Sequence, residues 1–178
     1  MINYKLMFAC SKDGFIAKKQ GDNPQLWTSK EDKELLKNNL EKIDWTIMGR
    51  VTHELNPNID RKRIVFTRKV QEPQIINPEI KNQIYFNPDI NQISDLENII
   101  GKNSNVLILG GTRVHDFFLY IDVISEIEIT LEPLVFEKGL PAFSFINFND
   151  LEDLLISRNY KKREKYLNES TILINYSR

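Results

Sequence analysis

Asn105-Val106-Leu107-Ile108-Leu109-Gly110-Gly111-Thr112-Arg113-Val114-His115 is the most legible stretch of the sequence. Its apolar run reads as a strand buried on both faces, its glycine pair as a tight turn, and the residues from about 112 to 119 as a helix. The same grammar recurs to either side. Residues 3–10 are apolar and stop at Ser11-Lys12-Asp13-Gly14; residues 29–40 look helical, with Leu35, Leu36, Leu40 and Ile43 on one side. Strands are expected at 44–48 (closed by Gly49), 63–67, 83–86 and 124–131, with a helix over 92–100. The last thirty residues suggest an antiparallel hairpin, with strands near 154–166 and 171–177 turning at Leu167-Asn168-Glu169. Strands alternating with helices imply an α/β fold: a mostly parallel sheet with helices on both faces and a C-terminal antiparallel hairpin at one edge.

No repeat or linker divides the 178 residues, so a single domain over 1–178 is expected. Twenty-four basic against 25 acidic residues argue against a general polyanion-binding surface, and no nucleic-acid partner is expected. One cysteine, Cys10, excludes an intrachain disulfide framework and a Cys-based zinc site; within an apolar run it reads as a small buried hydrophobe. No metal is expected. No apolar stretch is long enough to cross a bilayer and nothing resembles a targeting signal, so the expectation is a cytoplasmic protein without a membrane partner.

Ligands of open α/β sheets bind beyond the carboxyl ends of the strands. Three such ends stand out: Gly49-Arg50-Val51-Thr52 after the strand at 44–48, Arg68-Lys69 after that at 63–67, and Gly110-Gly111-Thr112 after that at 105–109. Unpaired N–H groups at a helix start favour phosphate, glycine lets a ligand approach the backbone, and arginine adds a fork matched to phosphate oxygens. Two helix starts with Arg50, Thr52 and Arg68 would suit a dinucleotide. Against this, a Gly-Gly pair is often only a tight turn, and the absence of G-x-G-x-x-G argues against a Rossmann site.

Taken together, Thr46-Ile47-Met48-Gly49-Arg50-Val51-Thr52-His53-Glu54, Arg61-Lys62-Arg63-Ile64-Val65-Phe66-Thr67-Arg68 and Leu107 to His115 resemble the three cofactor-side motifs of the dihydrofolate reductase superfamily, which includes riboflavin-pathway reductases. The resemblance implies NADPH as hydride donor. Arg50, Thr52 and Arg68 would hold the adenosine phosphates, with Gly49 and Thr67 beside them. Gly110, Gly111, Thr112, Arg113 and Val114 would line the pyrophosphate and nicotinamide side, with Ala9 and Ile16 also at the cofactor. The Gly-Gly bond is commonly cis in this family. His115 falls where dihydrofolate reductases usually have Tyr, and an imidazole there could titrate.

On the substrate side, Asp32 follows Trp27 by five positions, as the acidic residue of dihydrofolate reductases does. The resemblance places Trp27, Asp32 and Thr130 at the catalytic site, with Asp32 the carboxyl that bonds the pterin ring and Thr130 the hydroxyl supporting it, and makes Leu36 a substrate contact and Arg61 the partner of the glutamate tail. Burial beside an apolar wall would raise the Asp32 pKa. A plainer reading competes: Ser29-Lys30-Glu31-Asp32 fits a capping box, as do Thr28 and Glu31, and Arg61 within Arg61-Lys62-Arg63 fits a solvated charge.

Pro24 and Trp27 are separated by Gln25-Leu26, whereas dihydrofolate reductases have Pro directly before that Trp. Ser11 to Ala17 and Glu132 to Phe143 look closer to riboflavin-type reductases, yet Leu109 stands where those have Glu. The expected activity is therefore NADPH-dependent reduction of 7,8-dihydrofolate or a related pterin. Reduction of a 5-amino-6-ribosylaminopyrimidine 5'-phosphate is the alternative, and a non-catalytic nucleotide-binding relative is an alternative of another class. The riboflavin branch often forms homodimers, and the apolar stretch 133–143 could contribute to one.

Overall fold

The computed structural model describes residues 1–178. Its strands and helices follow one another as β1 (Asn3–Cys10), β2 (Phe15–Ala17), α1 (Lys30–Leu40), β3 (Trp45–Gly49), α2 (Arg50–Leu55), β4 (Arg63–Phe66), β5 (Gln74–Asn77), β6 (Ile80–Phe86), α3 (Ile93–Ile100), β7 (Asn105–Gly110), α4 (Thr112–Tyr120), β8 (Ile124–Leu131), β9 (Leu140–Pro141), α5 (Leu151–Ser157), β10 (Lys161–Tyr166) and β11 (Ile172–Ser177). Nine strands form one sheet in the order β10-β11-β8-β1-β7-β3-β4-β6-β5. The six from β8 to β6 run parallel, and antiparallel β11 and β5 flank them. The expected architecture is present, down to the terminal hairpin.

Two local expectations are corrected. Residues 154–157 belong to α5, and the hairpin strand begins only at Lys161. Leu151 and Leu155, four apart, both drop into the core, which a helix allows and a strand does not. The short edge strand β5, Gln74-Ile75-Ile76-Asn77, had no clear sequence signal; it is exposed to half-buried and shows no inside-outside alternation.

The core lies mainly on one face of the sheet. There Leu6, Phe8, Ile47, Ile64, Phe66, Ile108, Ile127 and Ile129 pack with Val114 and Phe118 of α4 and with Leu151 and Leu155 of α5. The other face carries α1 and is far more polar. Lys5 of β1 pairs with Glu126 and Glu128 of β8 at 3.1 and 2.9 Å, and Asn39 of α1 donates to Glu128. Cys10 is fully buried. No helix is long and apolar enough to cross a membrane.

A second, two-stranded sheet joins β2 to β9. Asp13 binds the N–H groups of Phe136 and Glu137, so the turn after β1 and the loop after β8 are strapped together. Thr112 donates to the Pro141 carbonyl, and Asp116 accepts from the Ser144 N–H and hydroxyl. The strap is thereby tied to the first turns of α4.

Candidate active-site cleft

Strand order explains where a site can form. The chain leaves β1 through α1 toward β3, but leaves β7 through α4 toward β8, in the opposite direction along the sheet. Crossovers that diverge from neighbouring strands leave a crevice at their carboxyl ends. A cleft of about 1550 Å³ opens there, lined by Ala9, Ile16, Asp32, Leu36, Gly49, Arg50, Thr52, Arg61, Thr67, Arg68, Gly111, Thr112, Arg113, Val114 and His115, among others. That volume exceeds the roughly 300–1,000 Å³ of ordinary small-molecule pockets, leaving room for two ligands side by side. The three separated loops thus meet at one rim.

Gly110, Trp27 and Thr130 are not on the cleft wall. Gly110 ends β7 with φ +98, a region that favours glycine, and the Gly110–Gly111 peptide is cis. A Cβ at Gly110 would lie 2.4 Å from His115 Nε2, whereas one at Gly111 would meet only Ile16 Cδ1, at 3.7 Å. Gly110 therefore fits the backbone over the histidine, and Gly111 keeps the floor open. Trp27 follows the 3-10 turn Pro24–Leu26 and packs edge-on against Phe136, its Nε1 buried and without a partner.

At the α4 end of the cleft, the N–H groups of Thr112 and Arg113 open the helix and have no protein acceptor; the first bonds of the turn run from Val114 and His115 to the Gly111 carbonyl. Arg50 is held by Glu54, both carboxylate oxygens lying 2.7 Å from its Nη1. Arg68 and Arg113 have no carboxylate in ion-pair range. Free helix-start N–H groups, an open glycine floor and two unpaired arginines fit the phosphates of a dinucleotide.

His115 is completely buried, its ring tilted against those of Phe8 and Phe143. Its Nδ1 lies 2.9 Å from the Ala142 carbonyl, which assigns the proton to Nδ1 and leaves Nε2 a bare lone pair without a partner. Burial pushes its pKa down to about 4, against a weaker upward pull from the Ala142 bond and Asp116. The apolar packing thus favours the neutral imidazole at neutral pH.

At the other end, Asp32 is 7% exposed, the one buried residue of α1. Burial raises its carboxyl above the ordinary range; the hydroxyls of Thr130 and Thr28 and the charge of Lys33 oppose the shift, and Glu132 adds to it. Thr130 sits beside the carboxyl without a formed hydrogen bond, its Oγ1 buried and unpartnered. The groups that act on its charge are thus two hydroxyls, a lysine and a second carboxyl. Ser29 does cap α1, accepting the Asp32 N–H at 3.2 Å, but the reciprocal half of a capping box is missing. The Ser29 N–H goes instead to Glu132 Oε1 at 2.7 Å.

Glu132 is the functional candidate that the sequence reading missed. It is 2% exposed, with its other oxygen 3.0 Å from the Thr171 hydroxyl. Arg61 lines the far end of the cleft and donates to the Leu40 carbonyl at the end of α1, so it is neither a free solvated charge nor wholly available to a ligand.

No protein-family model and no curated protein matches the sequence. Solved structures do. A protein provisionally named for riboflavin biosynthesis, from Shewanella sp. PV-4, is similar over 99% of this chain and 98% of its own, at 19% identity and a TM-score of 0.71. Dihydrofolate reductase from Enterococcus faecalis, complexed with NADP(H) and RAB-propyl, is similar over 99% of this chain and 96% of its own, at 20% identity and a TM-score of 0.65. The chain has the dihydrofolate reductase-like fold.

Proposed function

We propose that the protein is an NADPH-dependent reductase that transfers hydride to 7,8-dihydrofolate or a related pterin. The observation that carries this reading is Asp32: a buried carboxyl with a raised pKa and no cation bonded to it, in the same cleft as the open glycine floor and free N–H groups of α4. A raised carboxyl holds a proton at higher pH than an ordinary aspartate and can both orient a ring N–H and supply a proton nearby. A bound NADPH would supply the hydride.

The remaining work belongs to this chain's residues. Thr112, Arg113 and Arg68 would bind phosphates, and Arg50 would join them on leaving Glu54. Ala9, Ile16 and Gly111 would place the nicotinamide, with the strap of β2 and β9 closing water out above it. Thr130 would turn its unpartnered hydroxyl to the Asp32 carboxyl, and Leu36 and Arg61 would hold the rest of the substrate.

A second reading, reduction of a ribosylaminopyrimidine phosphate, is supported by the likeness to the Shewanella protein and by Lys33, an exposed cation on the cleft wall beside Asp32. The test is NADPH oxidation followed by absorbance with dihydrofolate and then the pyrimidine phosphate, on wild type and Asp32→Asn. The variant is expected to keep NADPH affinity and lose about 10²–10⁴-fold in turnover. Turnover with the pyrimidine alone selects the second reading, tight NADPH binding without turnover leaves a nucleotide-binding protein, and an unimpaired Asp32→Asn removes Asp32 from the chemistry.

A further inference from the structure

Glu132 is buried at the end of β8, where its N–H bonds the Cys10 carbonyl of β1, and it has no basic side chain in ion-pair range. Its two oxygens take neutral donors, the Ser29 N–H and the Thr171 hydroxyl. A glutamine of the same shape could keep one oxygen acceptor and would be cheaper to bury. A carboxyl held there at that cost calls for a reason.

The reason lies in what the Ser29 N–H would otherwise do. With Ser29 as N-cap and Asp32 at the third helical position, the ordinary reciprocal arrangement would give that N–H to the Asp32 carboxyl. Asp32 would then fold back on the helix start, its charged form stabilised by the bond and by the macrodipole. Glu132 takes the N–H first.

We propose that Glu132 is a positioning residue for Asp32: by occupying the Ser29 N–H it releases the Asp32 carboxyl from capping α1 and leaves it to the cleft. This rests on the reading of Asp32 as the acidic group of a reductase. Glu132 also acts through its charge, which disfavours a second negative charge on Asp32. The other groups that bear on Asp32 are Lys33 on its own helix and the Thr28 and Thr130 hydroxyls. Glu132 itself meets the Thr171 hydroxyl, and its charge and that of Asp13 both act on the Cys10 thiol.

The proposal is tested on the full chain by following the Asp32 carboxyl carbon through a pH titration by NMR, with no NADPH or substrate present. In Glu132→Ala the titration midpoint is expected to fall, because Asp32 gains the Ser29 N–H and loses a neighbouring negative charge. Glu132→Gln can keep an acceptor for Ser29 while losing the charge and the second acceptor oxygen, so its midpoint should lie between Glu132→Ala and wild type. Should the alanine variant fail to fold, Glu132→Met, which fills a similar volume with neither a charge nor a strong acceptor for the Ser29 N–H, carries the test. Turnover with dihydrofolate should drop about tenfold or more in Glu132→Ala with NADPH affinity unchanged. A midpoint that stays at the wild-type value, or that falls no further in Glu132→Ala than in Glu132→Gln, overturns the proposal, since a purely structural glutamate could destabilise the fold without moving it and a charge effect alone would move both variants equally. Wild-type protein that turns over no substrate defeats the reductase reading separately.

Discussion

Replacing His115 by Asn should convert a pH-sensitive fold into a less sensitive one. The folded imidazole titrates at about 4, against 6.5 when exposed. Between those values the unfolded chain binds a proton that the folded protein refuses, so stability is present in full above 6.5 and is lost as pH falls toward 4. Each pH unit of separation is worth about 1.4 kcal/mol, making the full loss about 3 kcal/mol. Asn can still donate to the Ala142 carbonyl but leaves a void beside Phe8 and Phe143, costing about 2 kcal/mol at any pH. Wild type should therefore be the more stable protein at pH 7 by about 2 kcal/mol, and the two stability curves should cross near about pH 5. Urea denaturation of both proteins at half-unit steps from pH 7.5 to 4.5 measures this directly. His53, whose pKa is also lowered by burial and Arg63, and Asp32 titrate in both proteins and cancel in the difference. A stability difference that stays constant across the range would refute the neutral, buried histidine.

Three further outcomes follow from the cofactor side. Glu54→Gln frees Arg50 from a half-exposed ion pair worth no more than about 0.5 kcal/mol, so NADPH affinity should rise about twofold at most by fluorescence titration, less in high salt. Arg68→Ala removes an unpaired guanidinium, and the preference for NADPH over NADH should shrink about tenfold if Arg68 meets the 2′-phosphate; equal losses for both coenzymes would place it elsewhere. Gly110→Ala puts a Cβ on His115 Nε2 at a φ of +98 and should cost about 3 kcal/mol in thermal or urea unfolding, whereas Gly111→Ala, with only Ile16 at 3.7 Å, should stay folded and lose NADPH binding.

The parts of the fold visible in the sequence are those whose signal is local. A buried parallel strand shows as an apolar run, and its turn into a helix as Gly110-Gly111, so β7 and α4 could be placed to within a residue or so. The helix α5 was misread because seven residues give barely two turns of periodicity, and Leu154-Leu155-Ile156 imitates a strand. Which residues share the cleft followed from strand ends together with a family resemblance; the strand-end rule alone would not have singled out Asp32, on a helix well after β1. The role of Glu132 depends on long-range pairing: β8 must lie beside β1 in one register before its end can reach Ser29. A signal was nonetheless present. Glu126-Ile127-Glu128-Ile129-Thr130 alternates with period two, and continuing it puts Glu132 on the same side as Thr130.

That alternation also explains why a cleft exists at all. The isoleucines of β8 enter the core, while Glu126, Glu128, Thr130 and Glu132 turn toward α1. A helix packed on such a face cannot be held by an apolar stripe, and α1 buries only Asp32. It is held by polar contacts along its length: Ser29 to Glu132, Asn168 to Glu31, Asn39 to Glu128, and Arg61 to the last carbonyl of the helix. Directional bonds fix a helix at a distance that close packing would have eliminated. The space so kept, between Leu36 and Leu40 on one side and Met7 and Met48 on the other, is cleft volume. Filling it with larger apolar side chains would give α1 an ordinary core and abolish the cleft between α1 and the sheet.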